Sequence, residues 1–118
     1  MEKLIAWVEI PSADFERAVK FYSSVFQLDL EPIDCGNGEK MAYFPTDEGA
    51  IVYSQQAKPS ENGAIVSFTV PDSIEASISR IEKAGGKVVI PKTKIEVEGR
   101  GYFAVCIDSE NNKIGLYE

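Results

Sequence analysis

The pattern of apolar and polar positions divides the chain into two similar halves. The first half opens with an apolar run, Leu4 to Ile10, which stops at Pro11 because proline cannot donate a hydrogen bond into a sheet. Asp14 then provides a helix N-cap, and the apolar residues after it recur at three- and four-residue steps. These apolar positions are Phe15, Ala18, Val19, Tyr22, Val25 and Phe26. The pattern predicts a strand packed on an amphipathic helix.

Three shorter strands are predicted after this helix. Residues 28–33 alternate apolar and acidic side chains, which is typical of a half-exposed strand. Residues 40–44 return after the turn signal Cys35-Gly36-Asn37-Gly38, and residues 50–54 form the fourth strand. The polar stretch 55–62 has no periodicity, so it is predicted to link the two halves.

The same order of elements begins again after the linker. Residues 64–70 are predicted to form a strand that ends before Pro71, and Asp72 to Glu75 open a helix with the spacing of a capping box. Gly85 and Gly86 end that helix. Three more strands are predicted, at residues 87–91, 102–107 and 113–118. The chain is therefore interpreted as one domain, 1–118, built from module one (1–57) and module two (63–118).

Charge and composition argue against nucleic acids and membranes as partners of this protein. The formal net charge of −7 repels phosphate backbones and anionic membrane surfaces. No apolar run approaches the roughly 20 residues of a membrane span. The opening Met1-Glu2-Lys3 lacks the features of a secretory signal. We therefore expect a cytoplasmic protein with no nucleic acid and no membrane partner.

Histidine is absent from the chain, and only two cysteines are present. The absence of histidine excludes Ser-His-Asp and Cys-His catalysis in their usual forms and removes the commonest transition-metal ligand. Cys35 and Cys106 lie in different predicted elements and form no CxxC pair. They are predicted to be reduced thiols, unless the fold places them side by side.

Several segments resemble one known superfamily. Glu9-Ile10-Pro11, the stretch from Asp14 to Tyr22, and Val25-Phe26 resemble the opening of vicinal oxygen chelate proteins, which include glyoxalase I, bleomycin-resistance proteins and extradiol dioxygenases. Val70-Pro71-Asp72 and Lys113-Ile114-Gly115-Leu116 extend the resemblance over nearly the whole chain. It implies an α+β fold in which two βαβββ modules with curled mixed sheets enclose a cleft, with the helices outside. It also implies a homodimer. The alternative is a generic α+β sandwich with no cleft.

Strand alternation predicts which side chains face that cleft, because neighbouring residues of a strand point to opposite faces. The uniformly apolar set of each strand belongs against the helices. The opposite set, which is expected to face the cleft, consists of Trp7, Glu9, Ile65, Ser67, Thr69, Gly115 and Tyr117. The residues predicted to bind a ligand are Trp7, Glu9, Tyr53, Ile65, Ser67 and Tyr117. For the tyrosines, a core or interface role is the alternative.

The resemblance also implies four positions at which metal-dependent relatives place their ligands. In this sequence they hold Trp7, Val52 or Tyr53, Ile65, and Gly115. A divalent cation needs several oxygen, nitrogen or sulfur donors, and these side chains do not supply them. We therefore predict no metal and no cofactor. Glyoxalase I chemistry, which the resemblance links to a metal, is disfavoured.

The function predicted from these features is metal-free binding of a small molecule, cationic or aromatic, in the cleft. Two enzymatic alternatives stay open. One is a metal-dependent lyase or dioxygenase of the glyoxalase type with other ligands, because a register error of one residue reverses the faces of a strand. The other is a metal-independent enzyme that uses Glu9 as its base. Glu9 could instead only fix the geometry, by accepting hydrogen bonds from the backbone or from Arg100.

A last cluster, Asp108, Glu110 and Asn111, has the composition of a cation-binding loop. It lacks the ligand spacing and the glycine of a calcium loop. We interpret it as a solvated hairpin turn.

Overall fold

The structure is a computed structural model that describes residues 4–118, so Met1-Glu2-Lys3, on which the targeting prediction draws, lie outside the described residues. It contains two helices and eight strands. In chain order these are β1 (Val8–Pro11), α1 (Phe15–Phe26), β2 (Pro32–Gly36), β3 (Glu39–Tyr43), β4 (Gly49–Tyr53), β5 (Val66–Thr69), α2 (Ile74–Lys83), β6 (Lys87–Lys94), β7 (Tyr102–Ile107) and β8 (Lys113–Tyr117).

The strands form two mixed sheets of the same design. The strand order is β1-β4-β3-β2 in the first sheet and β5-β8-β7-β6 in the second. In each sheet the strand before the helix pairs in parallel with the last strand of its module, and the other pairs are antiparallel. Neither sheet closes on itself. This topology confirms the predicted α+β class with the order strand, helix and three strands repeated.

Both helices begin where a side chain caps the backbone. The carboxylate of Asp14 accepts from the N–H of Arg17 at 3.1 Å, as predicted for the first helix. The capping box predicted for the second helix is wrong. Its N-cap is Ser73, whose hydroxyl accepts from the N–H of Ala76 at 3.0 Å. Asp72 instead forms an ion pair with Arg80.

Three strand boundaries differ from the prediction for identifiable reasons. β1 begins at Val8 rather than Leu4, because Val8 is the first residue that pairs with β4. β2 begins at Pro32, since Leu30 before it is buried in the core rather than placed in the sheet. β6 continues through Pro91, which an edge strand tolerates, and its pairing with β7 is irregular around that point.

One hydrophobic core joins the two modules. Phe68 of β5 lies 5.6 Å from Tyr22 and 4.8 Å from Phe26 of α1, measured between ring centroids. It also meets Phe44, which follows β3, edge-on at 5.9 Å. The helix-covered faces of both sheets contribute to this core, which leaves the opposite faces of the sheets uncovered.

The fold bears on two predictions made from composition, the one for the two cysteines and the one for a membrane span. Cys35 is exposed and Cys106 is buried, and the two are unpaired as predicted. Burial raises the pKa of the Cys106 thiol to about 11, so this thiol is a poor nucleophile. Across residues 4–118, neither helix has the length and apolar character needed to cross a membrane.

Candidate functional site

A cavity of about 800 Å³ lies between the two sheets, where the edge strands β1 and β5 approach each other without pairing. Its walls come from Leu4, Ile5, Ala6 and Val8, from the end of α1, from the turn between β3 and β4, and from β5. Because β5 is an edge strand at this gap, residues from both of its faces reach the cavity. The cavity is therefore a feature of the junction between the modules.

The floor of the cavity is aromatic. Phe26, Phe44 and Phe68 line it, and each of the first two rings contacts Phe68. These three side chains come from α1, from the start of the β3–β4 turn and from β5, so the floor forms only when both modules are folded. Aromatic walls of this kind provide a large apolar contact area for a ligand.

Polar groups of the cavity are concentrated on two segments. Ser67 and Thr69 offer hydroxyl groups on β5. The β3–β4 turn, residues 44–48, adds the hydroxyl of Thr46 and the carboxylates of Asp47 and Glu48. Among the described residues that line the cavity, these two carboxylates are the only charged side chains. The site thus combines an apolar floor with a negatively charged wall.

Trp7 and Glu9, two of the predicted ligand residues, lie together beside this cavity. The indole N–H of Trp7 donates to Glu9 Oε2 at 3.3 Å, and the Trp7 ring meets Tyr43 edge-on at 5.8 Å. Trp7 remains 41% exposed. The hydrogen-bond partner of Glu9 is therefore the indole and not Arg100, the arginine considered from the sequence.

The other four predicted residues are not all brought together. Ser67 lines the cavity, whereas Tyr117 lies next to Thr69 on the helix-free face of the second sheet, and Ile65 precedes β5 and is exposed. Tyr53 lies apart from them, because it packs against the core on the helix side of the first sheet. Of the six predicted ligand residues, only Ser67 is thus among the described residues that line the cavity, and Tyr53 lies on the opposite face of its sheet from Glu9.

The four positions considered for metal ligands do not fit a divalent cation. Val52 is buried and apolar, Tyr53 packs against the core, and a Cβ added at Gly115 would lie 2.3 Å from Ser67 Oγ, so a side chain there would require Ser67 to move. Trp7 and Ile65 offer no suitable donor. Within residues 4–118, no group of three or more cysteine, aspartate or glutamate side chains could hold a metal ion.

Two of the three residues in the cluster interpreted as a solvated turn, Asp108 and Glu110, are instead buried, so that interpretation is wrong for them, and only Asn111 is exposed. Asp108 is 2% exposed and accepts from the Tyr22 hydroxyl at 2.6 Å and from the N–H groups of Glu110 and Asn112. Burial, reinforced by the Asp108 carboxylate, raises the pKa of the Tyr22 phenol well above its usual range. This turn between β7 and β8 belongs to module two but contacts α1 of module one.

Glu110 makes the second half of that contact. Its carboxylate accepts from the N–H groups of Ala13 and Asp14 and from Arg17 Nε at 2.7 Å. Burial opposes ionisation, but the hydrogen bonds from Arg17 and from the backbone outweigh it and lower the pKa of Glu110. The one sequence signal for this joint is Tyr22, a polar group within an otherwise apolar helix face.

Comparison with known proteins adds a family match. The chain matches the model of the Glyoxalase/Bleomycin resistance protein/Dioxygenase superfamily over residues 4–116. It is 34% identical over 91 residues to a glyoxylase-like domain-containing protein of Didymella fabae, an alignment that covers 70% of this chain and 69% of that protein.

Solved structures share the fold at lower identity. A V278E mutant of glyoxalase I from Zea mays superposes with a TM-score of 0.72 at 19% identity over 96% of this chain, which spans only 45% of that enzyme. A glyoxalase/bleomycin resistance protein from Albidiferax ferrireducens T118 gives 0.68 at 20% identity, covering 97% of this chain and 98% of its own. The fosfomycin resistance protein FosX from Mesorhizobium loti gives 0.63 at 22% identity, covering 99% and 92%.

Proposed function

Because the chain belongs to the glyoxalase/bleomycin resistance protein/dioxygenase superfamily, we propose that it uses this fold to bind a small organic molecule without a metal ion. The observation that carries the proposal is the cavity of about 800 Å³ at the module junction, with its aromatic floor and few polar groups. Ligand sites in proteins commonly have volumes of about 300–1,000 Å³ and this mixture of wall residues.

The side chains at the candidate site favour ligand binding over catalysis. Metal-assisted reactions depend on a cation that polarises the substrate, and the four positions, which hold Trp7, Val52 or Tyr53, Ile65 and Gly115, do not supply the several donors that a cation needs. The metal-independent alternative needs a base that reaches the ligand. Glu9 contacts the indole of Trp7 and is not among the described residues that line the cavity.

The proposal includes a symmetric homodimer. Trp7, Tyr43, Ile90 and Tyr117 expose large apolar surfaces on the helix-free faces of the two sheets, and a second copy of the chain would cover such surfaces. Sedimentation at micromolar concentration tests this expectation, and a monomeric mass would contradict it. A cytoplasmic location, which suits two unpaired thiols, stays a prediction.

The binding proposal is tested by blocking the cavity. Protein treated with EDTA and dialysed is screened by thermal shift against small aromatic and cationic compounds, because a ligand that binds only the folded state raises Tm. We expect compounds that raise Tm in the wild type to lose their effect in Thr69→Trp, whose indole would fill part of the cavity. Thr93→Trp is the matched control, since Thr93 is exposed on the same sheet but does not line the cavity.

Two results would contradict the proposal. In one, compounds stabilise the protein only after a metal is restored, which would favour the metal-dependent alternative. In the other, Thr69→Trp and Thr93→Trp respond like the wild type, which would locate binding elsewhere.

A further inference from the structure

We propose that the cavity selects amphipathic organic cations, and that Asp47 and Glu48 of the β3–β4 turn provide the selectivity. This selectivity rests on the proposed function, because it concerns the same cavity. The first reason is the sign of the charge on the wall. Two carboxylates and no ammonium or guanidinium group occur among the described residues that line the cavity.

The second reason is that these carboxylates are available. Within residues 4–118, the side chains of Asp47 and Glu48 take part in no hydrogen bond and no ion pair with other side chains or with the backbone. The backbone of the turn is nevertheless fixed. The N–H of Asp47 donates to the carbonyl of Phe44 at 3.1 Å, and the N–H of Val8 donates to the carbonyl of Glu48 at 3.0 Å. Within residues 4–118, the turn therefore holds at the edge of the cavity two carboxylates that have no partner.

The third reason is the adjacent apolar floor. Phe44 begins the same turn and packs edge-on against Phe68 with the ring centroids 5.9 Å apart, so an apolar group placed on these rings would lie next to the turn that carries the two carboxylates. A ligand with an apolar body and one cationic end matches both parts of the site. A ligand with an anionic end would meet two like charges, in a protein whose net charge is already −7.

The expected selectivity is modest because both carboxylates are exposed. Ion pairs at exposed sites contribute little each, so two of them predict a preference of about fivefold for a cation over a neutral analogue. Salt should remove this preference, since the Debye length is only about 3 Å at an ionic strength of about 1 M.

The test uses three probes with one apolar body and different charges: 4-phenylbutylammonium, 4-phenylbutan-1-ol and 4-phenylbutanoate. Their dissociation constants are measured by equilibrium dialysis, which needs no spectroscopic change. For the wild type at low salt, we expect the ammonium to bind about fivefold more tightly than the alcohol, and the carboxylate to bind more weakly than the alcohol.

The double variant Asp47→Asn/Glu48→Gln should bind the ammonium and the alcohol about equally, with the alcohol unchanged. The matched control is Glu31→Gln/Glu61→Gln, which removes the same charge at two exposed positions outside the cavity and should keep the preference.

The outcomes separate the selectivity from the binding function. If the wild type binds the alcohol as tightly as the ammonium, or if the preference survives in Asp47→Asn/Glu48→Gln, the carboxylates do not select the ligand, while binding in the cavity still stands. If none of the three probes binds in the millimolar range, the selectivity is wrong, and the binding function is decided separately by the thermal-shift screen with Thr69→Trp.

Discussion

The β3–β4 turn and the β7–β8 turn occupy equivalent positions in the two modules, but their side chains make different contacts between the modules. Their backbones are alike. The N–H of Asp47 donates to the carbonyl of Phe44 in one turn, and the N–H of Asn111 donates to the carbonyl of Asp108 in the other. Asp47 and Asn111 both adopt positive φ, 61° and 69°. The difference between the turns therefore lies in their side chains.

Phe44 in the first turn corresponds to Asp108 in the second. Phe44 packs on Phe68, and the two carboxylates of its turn have no partner within residues 4–118. Asp108 accepts a hydrogen bond from the Tyr22 hydroxyl and so fixes its turn against the first helix. A carboxylate is buried at low cost only when several donors surround it. Two modules of one design thus provide one junction that closes the fold and one that leaves room for a ligand.

The largest expected effect comes from breaking the closed junction. Asp108→Ala removes the acceptor of the Tyr22 hydroxyl, of two backbone N–H groups and of the Asn112 side-chain amide, all of them buried. Because these donors would be left without partners, we expect a loss of about 3 kcal/mol or more in the free energy of unfolding. Urea denaturation measures this loss.

Tyr22→Phe provides the control for that variant. It removes one donor and leaves three on Asp108, so a smaller loss of about 1 kcal/mol is expected. Equal losses in the two variants would show that the carboxylate itself contributes little to the junction.

An intermediate effect is expected at Glu110. Glu110→Gln keeps the shape of the side chain but removes its negative charge, which Arg17 and the backbone at the start of the first helix surround. We expect the free energy of unfolding to fall by about 2 kcal/mol at neutral pH. Because the pKa of Glu110 is lowered in the folded state, its contribution is complete above the ordinary glutamate pKa of 4.5 and is lost as the pH falls through the lowered value.

The measurement is the difference in the free energy of unfolding between wild type and Glu110→Gln as a function of pH. This difference should shrink in acid, and the profile of the variant, whose amide cannot titrate, gives the background from the remaining acids. A difference that stays constant down to the acid limit would mean that the charge of Glu110 does not stabilise the fold.

The helices and strands could be predicted from local sequence patterns. The contacts between the modules could not, because they join residues that are far apart in the sequence. The first helix has the predicted N-cap, Asp14, and ends at Phe26, because a cap and a helical apolar pattern depend on residues a few positions apart. The joint between Glu110 and Asp14 spans 96 residues of sequence, and nothing local distinguishes its turn from a solvated one.

The position of Tyr53 shows a second limit of the sequence pattern. β4 is a central strand that is buried from Gly49 to Val52, so its apolar residues do not alternate with polar ones. Without alternation, the face of each residue cannot be read from the sequence. The edge strand β1 alternates clearly, and there Glu9 and Ile10 do lie on opposite faces, one exposed and the other in the core.

The smallest expected effect concerns the open junction. Asp47→Asn/Glu48→Gln should change the free energy of unfolding by less than about 0.5 kcal/mol, because neither carboxylate has a partner within residues 4–118 and both are exposed. Asparagine also tolerates the positive φ of position 47. Urea denaturation beside Asp108→Ala gives the direct contrast between the two turns.

A loss above about 1 kcal/mol in this double variant would mean that the two carboxylates stabilise the folded chain themselves. They would then be no more available to a ligand than Asp108 and Glu110 are. A negligible loss, together with a lost preference for the ammonium probe, would separate the roles of the two turns: the acidic groups of one hold the modules together, and those of the other recognise what binds between them.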